Sequence, residues 1–367
     1  MNLNQRSQFE QLPAELLYEI ASYLDFKDLK NLSGVNKTLR DVAFPRIFRH
    51  ISLPFSGPGV DALNEMAGSR FAKVTKSLRF RVIPSVINVS GKRELRTGVV
   101  HPIEKIYPRK EYTYHCERRY LPPNITYEKV AEYMSIISEE QSKLPRGNRA
   151  LLSLATTLQQ FSALEEVGVD WRLKHADTYG LNVVISRCRK RKDLCNKHLL
   201  DTIGKAINLR AKDNPITSLQ LVSERVWQSI HWYPELDLPD EAFIAIRSLD
   251  IQSHGSAIGM LVLRANMPEL RSLKMIVYDE LDLDDLDGLC RKTRKTLNVL
   301  HIETEVFLYH GHMYVLLCNV QACQEIMTFL DKLGKDMSLE EVKVRALDRP
   351  EKDMGLLESL LRGESIP

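Results

Sequence analysis

Three short helices are predicted in the segment from Phe9 to Leu53, which reads FEQLPAELLYEIASYLDFKDLKNLSGVNKTLRDVAFPRIFRHISL. Pro13 suits the first turn of a helix, because its missing N–H would find no partner there in any case. An apolar stripe at helical spacing follows this proline and is formed by Leu16, Leu17, Ile20 and Leu24. The first helix is therefore predicted to begin at Pro13 and to carry a single apolar stripe.

The second and third helices are predicted from capping residues and from further apolar positions. Asp25 and Asp28 interrupt the first stripe and are suited to cap a helix that carries Leu29 and Leu32. The third helix is predicted to end or bend at Pro45. Its apolar residues are Val35, Leu39, Val42 and Ala43.

Three helices in about 45 residues form too small a unit to bury all of these side chains against one another. We therefore expect part of the apolar surface to meet a partner or the domain that follows. The alternative is a helical cap that only covers the end of the following domain, and helical periodicity does not decide between the two.

The order of residues in this segment is more informative than its periodicity. It follows L-P-x-E-L-L-x-E-I-x-x-Y-L, then D-L-x-N-L-S-x-V-x-K-x-L-R, then a proline and an aromatic residue. This order resembles an F-box throughout, and especially the fungal version of that domain. Two positions depart from the usual pattern, since Asn36 stands where Cys or Ser is common and Leu39 stands where many members carry Trp.

The resemblance implies a binding partner and the residues that contact it. An F-box docks onto a Skp-family adaptor, which in turn joins a cullin scaffold. The residues implied to contact the adaptor are Leu12, Pro13, Leu16, Ile20, Leu24, Leu29, Val35 and Leu39. Neither departure removes the apolar stripe that the docking of an amphipathic helix requires.

Short strand signals recur through the remainder of the chain. Each is an apolar-x-apolar core, and they lie at 77–80, 166–169, 218–221, 248–251, 272–275, 299–302 and 341–344. The leading leucines at 219, 249, 273 and 300 follow one another at intervals of 24 to 30 residues. This period is close to that of a leucine-rich repeat, in which a strand and a helix form each unit and stacking buries a continuous core.

Amphipathic helices are predicted between these strands, at Tyr127–Leu144, Ala150–Leu164, Asp284–Leu297 and Val320–Leu333, the last of which stops at Gly334.

The predicted fold is therefore α/β. A three-helix F-box at 9–53 precedes an irregular leucine-rich-repeat-like α/β solenoid at 54–367. The span at about 88–124 fits no repeat and is predicted to be a surface loop or a β-hairpin insertion. The Asn or Cys typical of leucine-rich repeats is absent, so a different fold of alternating strands and helices is the alternative.

A substrate-binding surface is predicted from the alternation of side chains along the strands. Because the strand leucines point into the core, the residues between and after them point outward to one shared face. The residues of this predicted surface are Gln220, Asp250, Gln252, Lys274, His301, Glu303, Lys343 and Arg345. Their mixed charges favour a protein ligand over a phosphate backbone, which requires a more uniformly basic lining.

The sequence contains none of the motifs P-loop, GxGxxG, GxSxG and HExxH, so we expect no catalytic activity and no cofactor.

Three local clusters of polar residues have a simpler interpretation than a functional site. A structural zinc site needs four ligands, and no fourth accompanies Cys188, Cys195 and His198, so we interpret these three as ordinary residues. The basic run Arg187–Lys192 is interpreted as a solvated loop, with an import signal or a phosphate contact as the alternative. The acidic run Asp279–Asp287 lacks the spacing of a calcium loop and favours helix capping.

Composition restricts the location and the partners. The 367 residues carry a net charge of +3 on 51 basic and 48 acidic side chains, a balance that gives no case for a nucleic-acid or membrane partner. The six cysteines include no CxxC pair, which is typical of free thiols in a reducing compartment. The N-terminus lacks the apolar run of a secretory signal, so we expect a cytoplasmic or nuclear location, or both.

These features together predict a non-catalytic substrate-recognition subunit of an SCF-type (Skp adaptor, cullin, F-box) ubiquitin ligase. Its expected partners are a Skp-family adaptor, through it a cullin, and an unidentified protein substrate. The alternative is an F-box interaction or scaffold protein that acts outside a cullin ligase.

Overall fold

The structure is a computed structural model. It describes residues 12–82, 109–110, 113, 126–132, 147–170, 203–210, 214–222, 243–253, 265–309, 312–315, 328, 332–333, 335, 337 and 339–345.

Three helices open the described chain, as predicted: α1 at Ala14–Tyr23, α2 at Phe26–Val35 and α3 at Lys37–Ile47. Pro13 is the N-cap of α1. The Asp25 side chain caps α2 by accepting a hydrogen bond from the backbone N–H of Asp28 at 2.8 Å. Such caps satisfy backbone donors that the helix itself leaves unpaired.

One prediction about α3 is wrong, and one of the two alternatives predicted at Pro45 is excluded. Val35 does not line this helix, because it ends α2 and its side chain is exposed. Asn36 separates the two helices and caps α3 by accepting a hydrogen bond from the N–H of Leu39 at 2.8 Å. Pro45 does not end α3, which continues to Ile47, since the N–H of Phe48 still reaches the carbonyl of Phe44 at 3.1 Å.

The strands in the described part of the chain form one sheet of nine. They are β1 at His50–Pro54, β2 at Ser77–Arg81, β3 at Glu166–Asp170, β4 at Ser218–Val222, β5 at Ser248–Ser253, β6 at Ser272–Asp282, β7 at Val299–Tyr309, β8 at His312–Val315 and β9 at Glu341–Arg345. From β1 to β7, each strand pairs in parallel with the next along the chain. The far edge of β7 pairs with β9 in parallel and with β8 antiparallel.

All seven predicted strand signals lie in strands, namely β2 to β7 and β9. The first strand was not predicted, although it has the same apolar-x-apolar core in Ile51 and Leu53.

Further helices of the described chain are α4 at Gly57–Ala67, α5 at Gly147–Gln160 and α6 at Leu283–Thr293, with a 3₁₀ turn at Arg70–Lys73. Residues 203–208 are also helical. The helices predicted at 150–164 and 284–297 correspond to α5 and α6, and both end earlier than predicted. Residues 127–132 are helical, and the rest of the predicted Tyr127–Leu144 helix lies outside the described residues.

Two further predictions need correction. Lys335 is still helical, beyond the Gly334 at which the last helix was predicted to stop. Within the predicted insertion, residues 109–110 and 113 are helical, where a loop or a β-hairpin was predicted.

The main core lies between the sheet and helices on one of its faces. One row of side chains, at the same position in successive paired strands, is buried throughout from β2 to β9: Leu78, Val167, Leu219, Leu249, Leu273, Leu300 and Val342. Leu63 of α4, Leu158 of α5 and Leu286 of α6 belong to the same buried cluster. Each fully buried leucine contributes about 1.5–3 kcal/mol of hydrophobic stabilisation, so this row accounts for much of the cohesion between strands.

The three N-terminal helices join the sheet through packed aromatic side chains as well as through the chain itself. The rings of Phe48 and Phe71 meet edge to face with centroids 4.6 Å apart, and Phe44 lies 4.8 Å from Phe48. The guanidinium of Arg70 covers the ring of Phe44 at 3.8 Å and pairs with Asp41 at 3.0 Å. These contacts, together with β1 directly after α3, fix the helices against the edge of the sheet.

No helix of the described residues is long and apolar enough to cross a membrane.

Candidate functional site

Helix α1 has one apolar side that its own unit buries and another that it leaves exposed. Leu17 and Ala21 are buried against the other two helices. Leu16 is 44% exposed, Ile20 is half-buried, and Tyr23 is 82% exposed. Because positions 16, 20 and 23 follow a spacing of four and then three residues, they form one stripe along the helix. We call Leu16, Ile20 and Tyr23 the exposed stripe.

The structure separates the eight residues predicted to contact the adaptor into three groups. Pro13, Leu16 and Val35 are exposed. Three others are half-buried, namely Leu12, Ile20 and Leu24. The remaining two, Leu29 and Leu39, are 5% and 2% exposed and lie in the core of the three-helix unit. We therefore expect Leu29 and Leu39 to hold the helices together and the other six to offer the contact surface.

Three exposed aromatic residues of this unit were not predicted as contacts. Besides Tyr23 of the exposed stripe, Phe26 at the start of α2 and Tyr18 on α1 present large apolar side chains to solvent. The helical spacing of Tyr23 from Leu16 was a usable sequence signal. No comparable signal marked Phe26. Tyr18 lies on the opposite side of α1 from the exposed stripe, so we do not count it among the contact residues.

The eight residues of the predicted substrate surface lie on one face of the sheet, opposite the main core. The register places Gln220, Asp250, Lys274, His301 and Lys343 side by side in one row. Gln252, Glu303 and Arg345 stand two residues further along their strands, and therefore on the same face. We call this surface the outward face.

A hydrogen-bonded chain of side chains occupies the outward face from β2 to β5. The guanidinium of Arg79 crosses β3 and donates to the side-chain carbonyl of Gln220. The Gln220 amide nitrogen then donates to the Asp250 carboxylate at 3.1 Å. Gly168 allows this crossing, since a Cβ atom at that position would lie 3.3 Å from Cγ of Arg79. Sequence reasoning missed Arg79 and Gly168, although a glycine inside a strand often marks a close approach.

A second polar group lies on the outward face at β7 and β9. The carboxylate of Glu341 accepts a hydrogen bond from Nζ of Lys343 at 2.6 Å, and Nε2 of His301 lies 3.1 Å from the same oxygen. The hydrogen bond and the charge of Lys343 hold the pKa of Glu341 below its usual value. The charges of Glu341 and Lys343 are therefore paired with each other within the protein.

No group of three or more His, Cys, Asp or Glu side chains in the described residues is arranged to hold a metal ion. The Cys188, Cys195 and His198 triplet and the basic run Arg187–Lys192 lie outside the described residues. The acidic run Asp279–Asp287 spans the end of β6 and the start of α6, whose first turn is acidic and whose last turn is basic. Charges in this order are favourable at the ends of a helix dipole.

Comparison with known proteins identifies the N-terminal unit. A family model described as F-box-like matches residues 9–54, which include the three helices and β1. No curated protein matches the chain. The chain therefore carries an F-box-like domain at residues 9–54. This domain supports the interpretation of the chain as an F-box protein and suggests an adaptor-binding role in SCF-type ligases.

Proposed function

We propose that this chain is the substrate-recognition subunit of an SCF-type ubiquitin ligase and that it catalyses no reaction itself. The observation that carries the proposal is the F-box-like match over a helical unit whose apolar side chains are turned partly outward. An exposed stripe of this kind on an amphipathic helix suits docking into a groove of a partner. The partner in this proposal is a Skp-family adaptor, which links the chain to a cullin.

The proposed role requires two binding surfaces on one chain. The exposed stripe binds the adaptor, and the outward face binds the target protein. Holding the target near a charged conjugating enzyme raises the effective concentration of its lysines, which accelerates ubiquitin transfer without any chemistry by this subunit. The aromatic contacts between Phe44, Phe48 and Phe71 support this role, because they keep the two surfaces in a fixed relation.

The part of the chain after the F-box-like domain is proposed to be an irregular leucine-rich-repeat-like solenoid. Two features support this assignment: the parallel pairing of strands in chain order, and the row of buried leucine and valine side chains at one register position. Both are expected when each repeat contacts only its neighbours and stacking builds a continuous core. Proteins of that type commonly bind partners on an extended face of strands. We place the protein in the cytoplasm, the nucleus or both.

The test is affinity purification of the tagged full-length chain from cells treated with a proteasome inhibitor, followed by identification of bound proteins. We expect a Skp-family adaptor, a cullin and ubiquitin-modified target in the complex. Leu16→Asp with Ile20→Asp places two charges on the exposed stripe and should remove the adaptor and the cullin together. Tyr18→Asp with Ser22→Asp is the matched control, with the same charges and spacing on the opposite side of α1. Recovery of the adaptor without a cullin would instead support a scaffold role outside a cullin ligase.

A further inference from the structure

Among the described side chains of the outward face, the charged groups of Lys274 and Glu303 stand apart from the hydrogen-bonded networks. Lys274 of β6 is exposed, and Glu303 of β7 is half-buried. Neither makes a hydrogen bond or an ion pair in the described structure. A partly buried charge that is left unpaired loses hydration without compensation. Pairing Glu303 with a positively charged group of a partner would therefore favour binding.

The polar groups on either side of this pair are bonded mainly to one another, although Oδ1 of Asp250 and Nε2 of His301 form no hydrogen bond in the described structure. Towards β2, Asp250 accepts from Gln220, which in turn accepts from Arg79. Towards β9, Glu341 is held by Lys343 and lies within reach of His301. Lys274 and Glu303 therefore mark a gap between two internally bonded networks, at which their charges can pair with a ligand.

The register determines the distance between the two charges. Lys274 pairs with His301, and Ile276 pairs with Glu303, so Lys274 and Glu303 are diagonal neighbours across β6 and β7. Strand rise and strand spacing place such diagonal Cβ atoms about 8 Å apart. Alternate residues of an extended peptide are separated by about 7 Å. An extended segment can therefore place one side chain at each charge.

We propose, resting on the function proposed above, that the target protein presents to this gap an extended segment with one acidic and one basic side chain two residues apart. The acidic side chain pairs with Lys274, and the basic side chain pairs with Glu303. The aliphatic stem of that basic side chain covers Ile276, which is half-buried on the same face. The proposal allows the segment to run in either direction along the strands. Reversing the direction only exchanges the order of the acidic and the basic residue in the segment.

The opposite signs of the two charges also select against other ligands. A nucleic-acid backbone would bring a phosphate towards Glu303 as well as towards Lys274, and a uniformly acidic segment would do the same. Like-charge contacts of that kind weaken binding and suppress wrong partners. The gap is therefore suited to a protein segment of mixed charge.

The experiment is selection of a displayed random twelve-residue peptide library on the full-length protein and on single charge-reversal variants. The wild-type protein should enrich peptides with an acidic and a basic residue two positions apart. Lys274→Glu leaves two acidic side chains at the gap and should enrich pairs of basic residues at that spacing. Glu303→Lys should enrich pairs of acidic residues. Each reversal should weaken a peptide selected on the wild type on the order of tenfold.

Lys295→Glu, a reversal at an exposed position just after α6, is the matched control and should retain the wild-type pattern. Failure of the wild type to enrich any charge pattern, or the same pattern from all variants, would overturn the proposal. Binding of a purified Skp-family adaptor is measured on every variant and should not change. Loss of the proposed ligase function would appear in that adaptor measurement, whereas failure of the present inference would appear only in the peptide selection.

Discussion

Arg210 offers a sharp test of how the sheet and its helices are held together. Its side chain is buried, and its guanidinium donates to the backbone carbonyls of Leu164 at 2.7 Å and Phe161 at 2.5 Å. These carbonyls lie in the turn between α5 and β3. Burial lowers the pKa of Arg210 from its usual value, yet an arginine of this kind stays charged at neutral pH. The residue therefore fastens that turn to the segment at 203–210.

Replacing Arg210 with alanine removes both charge-assisted hydrogen bonds. The carbonyl of Leu164 loses this donor, whereas the carbonyl of Phe161 still accepts from the N–H of Leu164 at 3.1 Å. A hydrogen bond to a charged group contributes about 1.5–3 kcal/mol, and an unsatisfied buried acceptor costs a comparable amount. We expect Arg210→Ala to lower the free energy of unfolding by about 3–4 kcal/mol, since the two effects overlap. Arg210→Lys keeps the charge without the forked geometry and should fall between alanine and wild type.

The assay is urea unfolding followed by far-ultraviolet circular dichroism, with stability compared through the transition midpoint at unchanged slope. Arg247→Ala is the matched control, because the side chain of Arg247 forms an exposed pair with Glu269 at 3.7 Å within the described part of the chain. Such a surface pair contributes about 0–1 kcal/mol. An Arg210→Ala midpoint indistinguishable from that of Arg247→Ala would refute the role assigned to Arg210.

Three further predictions concern single residues. Burial, with a smaller effect from Asp287, raises the pKa of the Cys290 thiol to about 12. This thiol should therefore resist iodoacetamide at pH 8 in the folded protein and react after unfolding, as measured by peptide mass spectrometry. Gly59→Ala should destabilise the fold by about 2–4 kcal/mol in urea unfolding, because its Cβ would lie 1.9 Å from the carbonyl oxygen of Pro54; a wild-type midpoint would contradict this. Asn36→Ala should cost about 1 kcal/mol by loss of the α3 cap, while Asn36→Ser should retain most of the stability.

The strands of this protein were predictable because each carries its own local signal. An apolar-x-apolar core of four residues, repeated at intervals close to one repeat unit, is sufficient to locate β2 to β7 and β9. The shared outward face followed from the same alternation. The strand β1 was missed because its core, Ile51 and Leu53, lies directly behind the helical segment and was read as part of it.

The errors within the F-box-like domain have a local cause. Val35 was assigned to the third helix because apolar spacing runs on across a helix boundary, whereas the side chain of Asn36 determines where α3 begins. The resemblance implied that Leu29 and Leu39 are among the adaptor contacts, and the structure places both in the core of the three-helix unit. Helical periodicity alone does not distinguish the side of a helix that meets its own unit from the side that meets a partner. That distinction requires the packing of all three helices.

Contacts across the sheet were beyond prediction from the sequence. Arg79 and Gln220 are separated by 141 positions in the chain, and their hydrogen bond depends on the absence of a side chain at Gly168 between them. The same holds for Lys274 and Glu303. The side chains that lie beside them are determined by the register of β5, β6 and β7. Side-chain pairing of this kind depends on the register of strands that are distant in sequence.

The central claim is that the exposed stripe of α1 binds a Skp-family adaptor. Its most direct test is the dissociation constant between purified adaptor and the full-length chain, measured for the wild type, for Leu16→Asp with Ile20→Asp, and for Tyr18→Asp with Ser22→Asp. Covering the part of Leu16 and Ile20 that is still exposed contributes about 1 kcal/mol each, and a carboxylate left unpaired at the same contact costs more. The stripe variant should therefore lose at least about 100-fold in affinity. The control should bind as the wild type does, and circular dichroism should show that both variants remain folded. Wild-type affinity in the folded stripe variant would contradict the claim.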